Sequence, residues 1–240
     1  MALELVRRAP LGIRGFRVLD AGAGTGVGAV ALAGAGALPV QLDFSLDMLR
    51  HRREERPPAV VGDVTRLPFA AGSLDGAFAA FVLNHLPRPA AGVGELARVV
   101  RPGGAVLASV YADTSDNGPR DVVDEAARRA GFTEPGWYRE LRTERAPQVG
   151  TPERLAAAAE RAGLDVRECV AEHLDVGVET AEDVVRYRFG QAQYAPWFAG
   201  MSDAEAADVR IAAADAVRPV MTPYRPLVIL LAAVKRQRRL

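Results

Sequence analysis

Cysteine is almost missing from this chain of 240 residues. Cys169 stands alone, so neither an internal disulfide nor a cysteine-based metal cluster can form, and nothing points to an oxidising compartment. A cytoplasmic location is the resulting expectation. Lysine is equally scarce: Lys235 is the only one and every other basic residue is arginine, a bias typical of a GC-rich genome. No sign of charge prevails, since 30 basic residues face 30 acidic ones. A neutral chain has no global positive field to draw in nucleic acid or an anionic membrane, which leaves a small molecule as the expected partner. Long apolar runs are lacking too. Leu227 to Val234 is far too short to span a bilayer, and Met1 to Pro10 has Arg7 and Arg8 but no apolar core of signal-peptide length. No membrane partner is expected, and pairing into a homodimer stays open.

What the chain does have is a 49% apolar composition, enough for one sizeable α/β core, so residues 1–240 are read as a single domain. Phe16 to Leu19 is a short apolar run entering Asp20 and the glycine-rich stretch 21–28, after which 29–37 is alanine-rich: strand, tight loop, helix. Pro39 to Leu42 ends at Asp43, with helix-start chemistry at Ser45 and Asp47. Further strands are expected at Ala59 to Val61, Gly76 to Leu83 and Ala105 to Tyr111, with a helix at Val93 to Val100 stopped by Pro102. Strands alternating with helices predict a parallel sheet with covered faces. Beyond Tyr111 the pattern breaks through Asp113, Asp116, Asn117, Gly118 and Pro119. Asp121 to Ala130 reads as helix, and Thr133 to Val149 as irregular. Pro152 to Ala162 is a helix capped by Thr151, and Leu164 to Val178 should hold a sixth strand. Helices follow from Thr180 and Ser202, then a last strand at Leu227 to Val234. The basic tail Lys235 to Arg239 is short enough to be a solvated terminus.

Two features carry chemistry. Asp20-Ala21-Gly22-Ala23-Gly24-Thr25-Gly26 follows a strand directly, and glycines there allow a ligand to touch the main chain where helix amides are free to donate. A turn with no ligand would read the same way. Asp43, at the end of the second strand, suits two ribose hydroxyls, although a helix-start aspartate is the plain alternative.

The string Val18-Leu19-Asp20-Ala21-Gly22-Ala23-Gly24-Thr25-Gly26 resembles the first motif of class I S-adenosylmethionine (SAM)-dependent methyltransferases, and Asp43-Phe44-Ser45-Leu46-Asp47-Met48-Leu49 looks like their second. Gly62-Asp63-Val64, with Leu67-Pro68-Phe69 and Ser73-Leu74-Asp75, resembles the third. Glu95 to Gly104 is similar to the family's entry into the fifth strand. The likeness covers residues 16–111. It implies a Rossmann-like, seven-stranded, mostly parallel sheet with helices on both faces, the last strand antiparallel, and helical insertions at about 112–150 and 179–226. It also implies SAM as cofactor and S-adenosylhomocysteine as its product. Gly22, Gly24 and Gly26 would line its amino acid and ribose part, with Asp20 organising the loop or receiving the methionyl ammonium. Asp43 would hold the ribose, Asp63 the adenine amine, and Val64 the ring or its backbone partner; Phe44 and Met48 would lie beside the adenine, where Met48 could equally be core packing.

Asn84 and His85, at the end of the fourth strand, lie where the family places groups near the methyl. They are the catalytic candidates, His85 as general base, with loop packing as the alternative. No metal is expected. Tyr187, Tyr194 and Trp197, with Phe189 and Phe198, could wall the site of a small-molecule acceptor methylated on O, C or N, such as a bacterial specialised metabolite; they could as well glue inserted helices together. The chain departs from many relatives in having only about fifteen residues before its first strand, which leaves open what covers the cofactor. Two rivals stand beside the methyltransferase: a nicotinamide-dependent oxidoreductase using the glycine loop for diphosphate, and a methyltransferase fold kept as a cyclase or binding protein.

Overall fold

A computed structural model describes residues 1–51, 53–113 and 118–237. Asp116, Asn117 and the last part of the basic tail lie outside the described residues. Seven strands form one sheet: β1 (Arg17–Ala21), β2 (Leu38–Asp43), β3 (Ala59–Val61), β4 (Leu74–Ala80), β5 (Val100–Tyr111), β6 (Leu164–His173) and β7 (Leu227–Lys235), in the order β3-β2-β1-β4-β5-β7-β6. β1 pairs in parallel with β2 and β4, as do β2 with β3 and β4 with β5. β7 runs antiparallel to β5, from Ala105 opposite Val234 to Tyr111 opposite Val228. This is the Rossmann-like sheet that the motifs implied. Ala105 to Val110 and Val228 to Ala233 are buried without a break, as expected of strands covered on both faces, whereas all three residues of the edge strand β3 are exposed.

Local chemistry explains the boundaries. Thr151 Oγ1 accepts from the Arg154 amide and Pro152 opens the helix Pro152–Arg161; Thr180 and Ser202 each form a reciprocal capping box with Asp183 and Glu205. Several boundaries differ from the sequence reading. The helix expected at Val93 to Val100 spans Pro89–Val99, and β5 begins at Val100, so Pro102 lies within the strand and does not stop the helix. β4 stops at Ala80 because Phe81 turns into the left-handed region (φ 57), and Leu83–His85 forms a 3-10 turn where strand was expected. β6 ends at His173, five residues early. The stretch expected to be irregular holds a helix at Gly136–Glu140 and a wide π-type turn at Leu141–Arg145. Ala2–Arg7 is a helix, too short to give a periodic signal.

Two compact units emerge. One comprises residues 1–113, 143–172 and 228–240, and contains the sheet; the other comprises 114–142 and 173–227. The second unit draws on both stretches read as insertions, while 143–172 returns to the first. Its core consists of Val123, Ala127, Val184, Val185, Phe189, Tyr194, Val217 and Tyr224 among others, so it buries apolar surface of its own.

Candidate functional site

In an open α/β sheet, ligands bind beyond the carboxyl ends of strands where the order reverses, here between β1 and β4. Both ends carry sequence-predicted residues. The glycine loop leaves β1 with Gly22, Gly24 and Gly26 at φ 70, 51 and 97, conformations that cost an L side chain strain. A Cβ on Gly22 would come within 2.4 Å of the Val82 side chain beyond β4, whereas one on Gly24 would meet open space. The loop therefore packs against the β4 turn at one glycine and faces outward at the next, forming a cradle for a ligand that needs main-chain contact.

The loop is fixed from below and from the side. Gly22 and Ala23 amides donate to the Leu42 carbonyl (2.8 and 3.0 Å). Asp43 closes the arrangement: Oδ2 accepts from the Gly24 amide and Oδ1 from the Ser45 amide, both at 2.8 Å. Each oxygen keeps a lone pair for a ligand hydroxyl. Arg56, which the sequence reading passed over, donates to the carbonyls of Gly24 (2.9 Å) and Met48 (2.6 Å) and to Gln41 Oε1 (2.9 Å). No pattern in a single sequence marks it, because its partners, main-chain carbonyls and the Gln41 side chain, are brought together by folding.

Asp20 lies beneath the loop, 2% exposed, against Gly28, where a Cβ would come within 2.6 Å of its carboxylate. It accepts from the Ala29 amide at the start of helix Val27–Gly34. Its Oδ2 has no partner. That position makes Asp20 an organiser of the loop. Burial pushes its pKa up to about 6, against the pull of Gln41, the Ala29 amide and Arg56.

The folded-state pKa exceeds the unfolded 3.8, so the native chain holds the extra proton between the two values and loses stability as pH rises through that window. Above pH 6 the ionised group costs the fold about 3 kcal/mol. Urea unfolding between pH 4 and 7 should show the wild type losing stability relative to Asp20→Asn as pH rises. Parallel profiles for the two proteins would refute this.

The remaining candidates divide. Asp63 is exposed, and its Oδ1 accepts from the Thr65 amide (2.7 Å) and hydroxyl (2.8 Å) in a local turn. Val64 is a core residue, 5% exposed, packed towards Gly92. Phe44 (81%) and Met48 (46%) are exposed apolar side chains beside Asp43, so Met48 is not core packing. Leu67-Pro68-Phe69 owes its place to a latch: Glu95 accepts from the Leu67 amide (2.7 Å), while Arg98 donates to Glu95 and to the carbonyls of Leu67 and Phe69. Two motif blocks distant in sequence thus brace one loop.

Beyond β4, Asn84 is 4% exposed and its Oδ1 has no hydrogen-bond partner. His85 is exposed, although neighbouring protein still partly desolvates the ring, and with the nearby Arg145 guanidinium this lowers its pKa. Arg145 also donates to the His85 carbonyl (3.0 Å). Phe81 stacks on Tyr111 with centroids 4.6 Å apart, and its amide donates to the Ser109 carbonyl (2.8 Å). A bulky residue with positive φ signals strain held by its surroundings, a feature common where ligands bind.

Tyr187, Tyr194 and Trp197 belong to the second unit. Tyr194 is buried and packs on Phe132 (4.4 Å) and Phe189 (5.1 Å), Tyr187 on Tyr224 (5.5 Å) and Trp197 on Phe198 (5.0 Å). These contacts lie within that unit's own core. Among the described residues, no group of three or more His, Cys, Asp or Glu could hold a metal ion, and no helix is long and apolar enough to cross a membrane.

Residues 19–108 match the family model described as a methyltransferase domain. Over that stretch the chain is similar to the methyltransferases whose motifs it resembles. Among curated proteins it is similar to the demethylmenaquinone methyltransferase of Mycobacterium sp. (strain KMS), 38% identical over 123 residues that make up 51% of this chain and 54% of that protein. The chain thus matches about half the length of such relatives. Among solved structures it resembles phosphoethanolamine N-methyltransferase 2 of Haemonchus contortus in complex with phosphomonomethylethanolamine and S-adenosylhomocysteine (TM-score 0.61, 21% identity, 98% of this chain and 52% of that one). It also resembles the [4+2]-cyclase SpnF (TM-score 0.59, 20% identity, 98% and 80%). At such identities the likeness is one of fold, and that fold serves more than one chemistry.

Proposed function

We propose that this protein transfers a methyl group from SAM to an O, C or N nucleophile of a small molecule. The observation that carries the reading is the Asp43 carboxylate holding the Gly24 amide at 2.8 Å beside a glycine loop open at the switch point. The groups suit SAM, which lacks a pyrophosphate and presents an ammonium, two ribose hydroxyls and an adenine amine. Acidic acceptors at the ends of β1, β2 and β3 answer these better than an anion cradle would.

In this reading Asp43 accepts the ribose hydroxyls, the glycine amides border the amino acid part, Asp63 accepts from the adenine amine, and Phe44 and Met48 cover the ring. SAM, when bound, supplies an electrophilic methyl on sulfur. Displacement there needs alignment and exclusion of water more than proton chemistry. Asn84 Oδ1 offers a buried acceptor for orienting a bound group. His85, its pKa held below the ordinary histidine value, is neutral at pH 7 and fit to take a proton from a hydroxyl acceptor. His85→Ala should then lower kcat about 100-fold on such an acceptor, with wild-type kcat falling as acid protonates the ring. An unchanged kcat in the variant would remove His85 from the chemistry.

The family match ends at residue 108, before the second unit begins, so it carries no information on the acceptor. The relatives' names make a demethylated naphthoquinol the first acceptor to assay, ahead of a panel of phenols and amines. Calorimetry with S-adenosylhomocysteine and with NAD tests the cofactor: micromolar binding of the former alone supports the reading, and binding of NAD alone replaces it with the oxidoreductase. S-adenosylhomocysteine binding without methyl transfer to any acceptor favours a fold retained for cyclisation or binding.

A further inference from the structure

Within the second unit lies a cavity of about 530 Å³ that plays no part in the reading above. Its walls come from helix Pro119–Arg129, helix Gly136–Glu140 and the region around Arg188 and Tyr194. We propose that it binds a small aromatic carboxylate. Volumes of this size suit one small organic molecule.

Pairing singles out one guanidinium. Arg120, Arg128, Arg142 and Arg188 line the cavity with the carboxylates Asp121, Asp124 and Glu134. Asp124 is fully engaged: Oδ1 accepts from Arg188 Nε (2.5 Å) and the Tyr194 hydroxyl (2.8 Å), and Oδ2 from Arg188 Nη2 (2.7 Å). Glu134 is occupied by Arg142 (3.1 Å), Arg128 is drawn off to Glu125 (2.8 Å), and Asp121 is exposed. Arg120 is left over. It has no carboxylate partner among the described residues, and its buried Nε has no hydrogen-bond partner. The buried Tyr224 hydroxyl lies beside the Arg120 side chain. A guanidinium at a cavity wall without a carboxylate partner is matched by one carboxylate, which accepts two of its N–H groups.

The walls supply the rest. Tyr138 and Tyr194 bring their rings to 5.7 and 5.3 Å from the Arg188 guanidinium, and Phe132 packs on Tyr194. Tyr138 Oη accepts from Arg188 Nη2 (3.2 Å), which leaves its own proton to donate to a ligand oxygen. Aromatic faces with one cation and one hydroxyl donor describe an aromatic body carrying a single negative charge.

The test uses the whole chain. Calorimetric titrations with benzoate and 1-naphthoate are compared with benzamide and 1-naphthamide, and tryptophan emission is followed, because Trp137 adjoins Tyr138 (5.7 Å) and Trp197 adjoins Tyr194 (6.3 Å). The expected result is saturable binding of at least one acid below about 1 mM, with its amide at least tenfold weaker. Arg120→Gln should weaken the acid at least tenfold and Tyr138→Phe severalfold, while S-adenosylhomocysteine binding stays unchanged in both. Absence of binding by either acid at 10-fold higher concentration overturns the proposal, and so does equal binding of acid and amide. Should Arg120→Gln fail to fold, the acid and amide pair together with Tyr138→Phe decides the question. The methyltransferase reading is tested separately by S-adenosylhomocysteine and stands or falls on its own.

Discussion

Replacing Asp43 by alanine should weaken S-adenosylhomocysteine binding at least 100-fold in calorimetry, with little change in thermal stability. Two losses add up. The ribose hydroxyls forfeit a charged acceptor, and hydrogen bonds to a charged group contribute about 1.5–3 kcal/mol each. The Gly24 and Ser45 amides, now held at 2.8 Å by the same carboxylate, lose the bond that sets the loop's shape before ligand arrives. Both amides lie near water, so the folded chain tolerates their release better than the complex does. Asp43→Asn should fall between, since its amide oxygen still accepts one amide while its NH2 faces the other. If Asp43→Ala binds S-adenosylhomocysteine as the wild type does, the cofactor lies elsewhere and the reading of the site is wrong.

Asp124→Ala should be the most destabilising change in the second unit, by about 3–5 kcal/mol, because it strands a buried guanidinium. Arg188 is 3% exposed and keeps its charge through the paired Asp124 carboxylate, which outweighs desolvation and holds its pKa above the ordinary arginine value. Tyr194, whose pKa is raised first by burial, loses its acceptor in the same variant. Thermal melting should drop by roughly 10 °C, taking about 2–4 °C per kcal/mol for a chain of this size. The double variant Asp124→Leu with Arg188→Met should recover most of the loss, since apolar replacement of a buried pair is often nearly neutral. An Asp124→Ala protein that melts with the wild type would mean that water reaches Arg188 and that the pair is not truly buried.

The cofactor half was readable in the sequence because its signals are local. A run of apolar residues ending in Asp20 or Asp43, followed by glycines or by Ser45, sets strand, turn and helix start within a few residues. What escaped was contributed by distance. Arg56 earns its role from acceptors far along the chain or on the main chain, and the Glu95–Arg98 latch joins a helix to a loop some thirty residues earlier. Phe81 left the strand early although its neighbours are apolar, because the packing of Val82 on Gly22 decides where β4 must turn. The aromatic stretch 187–198 illustrates the opposite difficulty: composition announced a cluster, but core and binding wall have the same composition, and Tyr194 packs on Phe132 and Phe189 while also lining a cavity.

The place of β7 has a consequence for how the chain is made. It lies between β5 and β6, so during synthesis β5 and β6 each wait with an open hydrogen-bonding edge until residues 227–235 have left the ribosome. β5 waits through more than a hundred residues of translation, and its second half, Ala105 to Val110, is mostly apolar. An unpaired apolar edge invites other strands. The fold of the finished sheet therefore sets a period of risk before completion, one that falls to chaperones and to the speed of the last strand's insertion.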